Sequence, residues 1–305
     1  MRLDDSRSLV EVKPLYQHLE HCELAYRVVG SGEPLLLVHG YPLSGLTFRK
    51  VVPLLSQYFT CYIPDLPGLG ETEWTDATDF KFAAQAETLK KFIDALGLPS
   101  YSILAHDTGG TIARRLAIID KDRIRALALI GTEIPGHRPP WIPFFQKISD
   151  PTKTTNFKFL MSRRWFRHSS AAFGGCFEDP SLIDGEFYDL FVAPVLASER
   201  RISGQTHFLL GIDWKLVDNL KTVHTQITAP TLLIWGEDDP VFPVKEARPM
   251  VKQLGNCKGF VTVPKAKLFV QEEKPEVVAR LVIEFMIDGK TFEGAESEQL
   301  KHTEV

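Results

Sequence analysis

The stretch that most constrains this chain is residues 101–114, Tyr-Ser-Ile-Leu-Ala-His-Asp-Thr-Gly-Gly-Thr-Ile-Ala-Arg. Its first five residues are apolar or β-favouring, the composition of a strand buried on both faces. Gly109 and Gly110 follow, where two backbones can approach closely. Residues 111–119 then carry apolar side chains at helical spacing. The reading is strand, sharp turn, helix, with one carboxylate, Asp107, in the turn. A turn of the form small-x-nucleophile-x-Gly-Gly lifts its central side chain above the edge of a sheet. Ala105 takes the small position and Asp107 the nucleophile position.

The remaining pattern frames that stretch. Residues 1–14 read as a loose lead-in and 16–29 as two strands closed by Gly30-Ser31-Gly32. Residues 34–40 form a short apolar strand ending in His39-Gly40-Tyr41-Pro42. A helix is expected over 44–57 with Ser44 as its N-cap, then a strand over 59–65. The loop that follows carries Pro67, Gly68 and Gly70. A helix spans 79–96, stopped by Gly97 and Pro99, and another strand covers 124–131. Strands and helices in alternation give a parallel sheet with helices on both faces.

From 135 to 225 the pattern changes. Aromatic residues recur from Trp141 to Trp214 and no buried strand is evident, so this segment reads as an inserted helical cap. The sheet resumes with a strand over 227–235 that ends in Gly236-Glu237-Asp238-Asp239. A helix over 245–254, a last strand over 259–263 and a helix over 275–287 complete the pattern. Residues 289–305 are polar and acidic and are expected to be disordered.

With these motifs in this order, the chain resembles the α/β-hydrolase superfamily over about residues 16–287. Within it, the chain is most similar to the haloalkane dehalogenase and epoxide hydrolase branch, whose nucleophile is an aspartate. The resemblance implies a mostly parallel eight-stranded sheet flanked by helices, with a core of residues 1–134 and 226–288 and a cap of 135–225. It implies chemistry without a cofactor or metal. It places the nucleophile at Asp107 and the catalytic acid at Asp239, the last position of G-x-x-D. The oxyanion hole falls on the backbone N–H groups of Tyr41 and Thr108. Asp238, one step off that register, reads as a solvated loop carboxylate, and Glu133 stands where some relatives carry their acid.

The pattern then breaks at one residue. The branch carries its general base in G-H-F-x-x-E-E-x-P, after the last strand. Here Phe269, Glu272, Glu273 and Pro275 match without a gap, but Lys267 replaces the glycine and Leu268 the histidine. Leucine cannot accept a proton. The leaving-group contacts of the branch are altered too. Tyr41 and Thr108 stand where dehalogenases carry a halide-binding Asn and Trp. Thr108 and Thr111 stand where fluoroacetate dehalogenases carry arginines. Tyr188 is the only cap tyrosine, where epoxide hydrolases usually use two. Candidate pocket residues are His39, Tyr188 and His137, with His39 read as a packed loop histidine. His168 and His207 fall in the cap, and His224 is expected at the far end of the sheet. Two functions stay open: a hydrolase working through Asp107, and a non-catalytic binding or scaffold descendant.

Composition narrows the partners. A net charge of -4 gives no reason to expect nucleic acid or an anionic membrane. No run of about 18 apolar residues could span a bilayer. Four cysteines, at 22, 61, 176 and 257, form no CxxC or Cys/His cluster. With no signal-peptide pattern at the start, a reduced, cytoplasmic protein is expected. The expected partner is a small apolar molecule in a capped pocket, and the expected state a monomer or homodimer.

Overall fold

The computed structural model describes residues 8–139 and 141–292. Its strands are β1 (Leu15–Leu19), β2 (Cys22–Val29), β3 (Glu33–Val38), β4 (Phe59–Pro64), β5 (Glu73–Trp74), β6 (Tyr101–His106), β7 (Ile124–Ile130), β8 (Thr231–Gly236) and β9 (Cys257–Val263). Eight of them run in the order β1-β2-β4-β3-β6-β7-β8-β9, and the two-residue β5 adds to β2. β2 pairs antiparallel with β1, β4 and β5, and every other pairing is parallel.

Largely apolar runs occupy the centre. β6 and β8 are buried at every position. Alternation sorts their side chains into two cores. Leu36, Val38, Ile103 and Ala105 face one, under the helices Phe82–Ala95 and Thr108–Ile119. Leu35, Leu37 and Leu104 face the other, under Pro275–Met286. Helices on both faces of a parallel sheet are the expected architecture.

The helix expected over 44–57 is broken into a 3-10 turn, Gly45–Phe48, and a short helix, Val52–Leu55. Ser44 does not cap it. Asp65, at the end of β4, accepts the Gly45 N–H at 2.7 Å instead. Its other oxygen accepts the Glu71 N–H at 2.9 Å, so one buried carboxylate orders two loops. The helix expected over 245–254 is likewise a turn of helix, Val244–Ala247, and a 3-10 segment, Arg248–Lys252. Pro249, which has no N–H to donate, lies within it.

Near both limits of the described residues, packing reaches further than the sequence suggests. Leu9 is buried, and Val12 accepts from the Arg27 Nε–H at 2.9 Å. Phe292 is buried against Gly259, which anchors the chain at that point, while residues 289–291 are exposed. Residues 293–305 lie outside the described residues.

Between β7 and β8 the chain leaves the sheet for helices from Ile142–Ile148 to Leu220–Gln226. The two ends of this insertion differ. Helices Ile142–Ile148 and Thr154–Ser162 bury no residue fully, whereas Glu199–Gly211 buries six. Gly204 in that helix meets Gly68 so closely that a Cβ would stand 2.7 Å from the Gly68 carbonyl oxygen. Gln205 Nε2 donates to the Pro42 carbonyl at 2.9 Å. Among the described residues no helix is long and apolar enough to cross a membrane.

Candidate active site

β6 ends at His106, and the helix Thr108–Ile119 begins one residue later. Asp107 fills the gap at φ 52°, ψ −133°, a backbone conformation that is costly for any residue with a Cβ. Neighbours hold it there. Its N–H donates to the Gly131 carbonyl at 2.9 Å. Its carbonyl accepts from the Gly110 N–H and the Thr132 hydroxyl, each at 2.8 Å. The carboxylate lies over Gly40, where a Cβ would stand 2.4 Å from Asp107 Oδ2. A Cβ at Gly109 would stand 2.3 Å from the His39 carbonyl. The turn therefore closes only on glycine at both places.

The backbone N–H groups of Thr108 and Tyr41 face the Asp107 carboxylate and favour its charged form. The Tyr41 N–H also donates to Thr108 Oγ1 at 2.8 Å. Burial outweighs both and raises the Asp107 pKa well above the ordinary carboxylate value, with repulsion from Glu133 adding to it. Glu133 is itself buried, and burial raises its pKa too. Glu133 Oε2 accepts from Thr111 Oγ1 at 2.7 Å and from Thr132 Oγ1 at 3.1 Å.

Asp239 sits in the turn after β8. Its Oδ1 accepts the N–H groups of Val241 and Phe242 at 2.8 and 3.0 Å. Its Oδ2 is buried without a partner among the described residues. Burial pushes its pKa up to about 7. Leu268 is beside it: a Cβ at Gly131 would stand 3.2 Å from Leu268 Cδ1 and 3.5 Å from Asp239 Oδ2. The loop carrying Leu268 is pinned. Glu272 is buried and paired with Arg49 at 2.6 Å. Glu273 accepts from the N–H groups of Lys267 at 3.0 Å and Glu178 at 2.7 Å. Lys267 Nζ lies 3.4 Å from Glu178 in the inserted region. Leu268 thus fills a defined place at the site.

The sequence reading missed His106. It is fully buried, and its Nε2 lies 3.1 Å from the Leu268 carbonyl oxygen, which sets Nε2 as the donor. Burial lowers its pKa to about 3, so it is neutral. The available signal was a polar ring at the end of a largely apolar strand, which must find a partner.

A cavity of about 580 Å³ opens above Asp107. Tyr41, Asp107, Thr108, Glu133 and Leu268 line it, together with apolar side chains of the insertion such as Phe145, Phe173 and Leu209. Among the described residues, the other charged ones in its lining, Asp150 and Lys153, pair with each other at 3.0 Å. The free Cys176 also lines it, its thiol pushed up by burial and by the nearby Asp239 and Asp107.

None of the three candidate pocket side chains lines the cavity, because each is engaged elsewhere. His39 accepts the Leu66 N–H at 2.9 Å, a packed loop histidine as read from the sequence. His137 lies 2.8 Å from both the Val241 carbonyl and Glu246. Tyr188 lies under the Arg167 guanidinium, 4.5 Å away. His168 lies 3.1 Å from Asp184, His207 stacks on Phe80, and His224 bonds Gln253 at 2.8 Å. Among the described residues, then, no histidine lines the cavity. No group of three His, Cys, Asp or Glu among them could hold a metal.

Known proteins agree with this architecture. Residues 33–275 match the family model described as alpha/beta hydrolase fold. The chain is 29% identical to Haloalkane dehalogenase 2 of Mycobacterium bovis over 257 residues, 84% of this chain and 88% of that one. It is 25% identical to human Epoxide hydrolase 4 over 300 residues, 89% of this chain and 78% of that one. A solved alpha/beta hydrolase fold protein from Burkholderia ambifaria superposes with a TM-score of 0.75 at 21% identity, covering 93% of this chain and 99% of that one. The match spans most of the sheet and the elbow, and the chain belongs to the α/β-hydrolase family.

Proposed function

We propose that the chain acts on a small apolar molecule bearing a carbon–halogen bond or an epoxide, with Asp107 as nucleophile and Asp239 in the acid position. The observation that supports this most is the Asp107 carboxylate, held at positive φ over Gly40, facing two backbone N–H groups at the base of an apolar cavity. An ionised Asp107 oxygen attacks an sp³ carbon, a C–O bond forms, and the bond to the leaving group breaks. Its electron pair departs with the halide or stays on the epoxide oxygen, which then takes a proton. The product is an alkyl ester of Asp107. The relatives named above are a dehalogenase and an epoxide hydrolase, in keeping with this reaction class.

Release is the harder half. Water must attack the ester carbonyl carbon while the N–H groups of Tyr41 and Thr108 take the developing oxyanion. A base must accept the water proton, and Leu268 stands where the branch has that base. The ester on this chain should therefore form and persist. Asp107 and Glu133 in the lining disfavour anionic substrates. A second reading, binding without turnover, draws support from Leu268 and from the unpartnered Asp239 Oδ2.

Intact-protein mass separates the two after incubation with a panel of alkyl halides and epoxides. Wild type is expected to gain a persistent mass that Asp107→Ala does not, and Leu268→His is expected to convert the adduct into turnover. No adduct on wild type together with no turnover by Leu268→His would overturn the hydrolase reading and leave the binding one.

A further inference from the structure

Charge is not spread evenly over this chain. Residues 141–168 hold six lysines and arginines and a single carboxylate, Asp150, within a protein whose net charge is -4. Lys147, Lys153, Lys158, Arg163 and Arg164 are exposed. Lys147, Lys158 and Arg163 pair with no carboxylate among the described residues.

Large apolar side chains are exposed in the same segment. Trp141, Phe144, Ile148, Phe159 and Trp165 are between 42% and 65% exposed, a concentration matched nowhere else among the described residues. Ring contacts join three of them across separate helices, from Trp141 to Phe144 and on through Phe145 and Phe166 to Trp165. Arg163 lies over Phe159 at 4.6 Å. A contiguous run of this kind marks an interaction surface rather than scattered exposure. Trp141, Ile148, Lys153 and Asn156 are exposed and also line the cavity. They therefore form its mouth, and the mouth opens within the basic aromatic face.

We infer that this face of the insertion docks on an anionic phospholipid surface, with the cavity mouth turned toward the bilayer. Exposed tryptophans and phenylalanines ringed by lysine and arginine match the interface between acyl chains and anionic headgroups. A lipophilic molecule dissolved in the bilayer would then reach the cavity without crossing water. The whole-chain charge hides this surface, because acidic residues elsewhere outweigh it. The inference does not depend on whether Asp107 reacts.

The test is sedimentation of the full chain with vesicles of phosphatidylcholine alone or mixed with phosphatidylglycerol. Pelleting with the mixed vesicles, weakened by salt, is expected. Lys147→Glu/Lys158→Glu/Arg163→Glu should weaken it about tenfold or more. Phe144→Ser/Trp165→Ser should weaken it as well, with thermal melting unchanged since all five sites are exposed. Failure to pellet with mixed vesicles, or equal pelleting with both kinds that ignores charge reversal, overturns it. So does a concentration-dependent dimer lost in Phe144→Ser/Trp165→Ser without vesicle binding, which would make a second copy the occupant.

Discussion

Around Asp107, the backbone N–H and carbonyl are hydrogen-bonded, two N–H groups face the carboxylate, and glycine stands where a Cβ would collide. Around Asp239, one oxygen is held by two N–H groups while the other is buried with no partner among the described residues. These two ends of one site differ in kind. In the proposed reaction the first would form the bond to carbon. In the proposed reaction the second would supply the acid, with Leu268 where the resembled branch has its base. The difference teaches that one carboxylate of a shared pocket can be fully framed by backbone groups while a neighbouring one is left half satisfied.

The comparison can be broken most severely at Gly40. Gly40→Val places carbon inside the Asp107 carboxylate, so adduct formation should vanish and stability should fall by about 3 kcal/mol or more. A urea melt and intact mass would check both. A folded variant that still forms the adduct would contradict the packing described at the elbow.

The next test addresses the Asp239 end. Its folded pKa, about 7, lies above the ordinary carboxylate value, so between these limits the folded state binds more protons than the unfolded one. Stability is then greatest below pH 4 as far as this group is concerned, and it declines as pH rises through about 7. The decline should be on the order of a few kcal/mol, and Asp239→Asn should flatten it. Melts at pH 5 and pH 8 measure this. Leu268→His, by giving Oδ2 a partner, should flatten the slope too.

Smaller effects sharpen the contrast. Glu133 repels the Asp107 charge and raises its pKa, so adduct formation should speed up as pH rises. Glu133→Gln should move that profile to lower pH, and an unmoved profile would show the two carboxylates to be independent. His106→Leu leaves the Leu268 carbonyl unpaired in the core and should cost about 1–3 kcal/mol in a urea melt. Tyr188→Phe should change adduct formation less than about twofold, since Tyr188 does not line the cavity.

How much of this was legible depends on whether chemistry or packing dictated the residue. The elbow could be read because a strand, a turn and two close approaches demand particular residue types in consecutive positions. Leu268 could be read as a departure because Glu272 and Glu273 fix its register, and the structure gives both a structural partner. His106 could not be placed, since its partner is a backbone carbonyl 162 residues away. The break in the 44–57 helix was hidden for the same reason, as its cap comes from Asp65. In the insertion, short helices gave no periodicity long enough to separate exposed aromatics from buried ones, so Trp165 and Phe177 read alike.

The fastening of Glu199–Gly211 to the core, through Gly204 on Gly68 and Gln205 on Pro42, has a kinetic side. The cavity roof is secured along one margin, while Ile142–Ile148 and Thr154–Ser162 lie over the other with no fully buried residue. Local opening is least costly where least apolar surface is lost. Amide exchange should therefore be orders of magnitude faster in those two helices than in Glu199–Gly211. Residence time in the cavity would then be set by how often that margin frays, and its chemistry could change without altering how quickly molecules come and go.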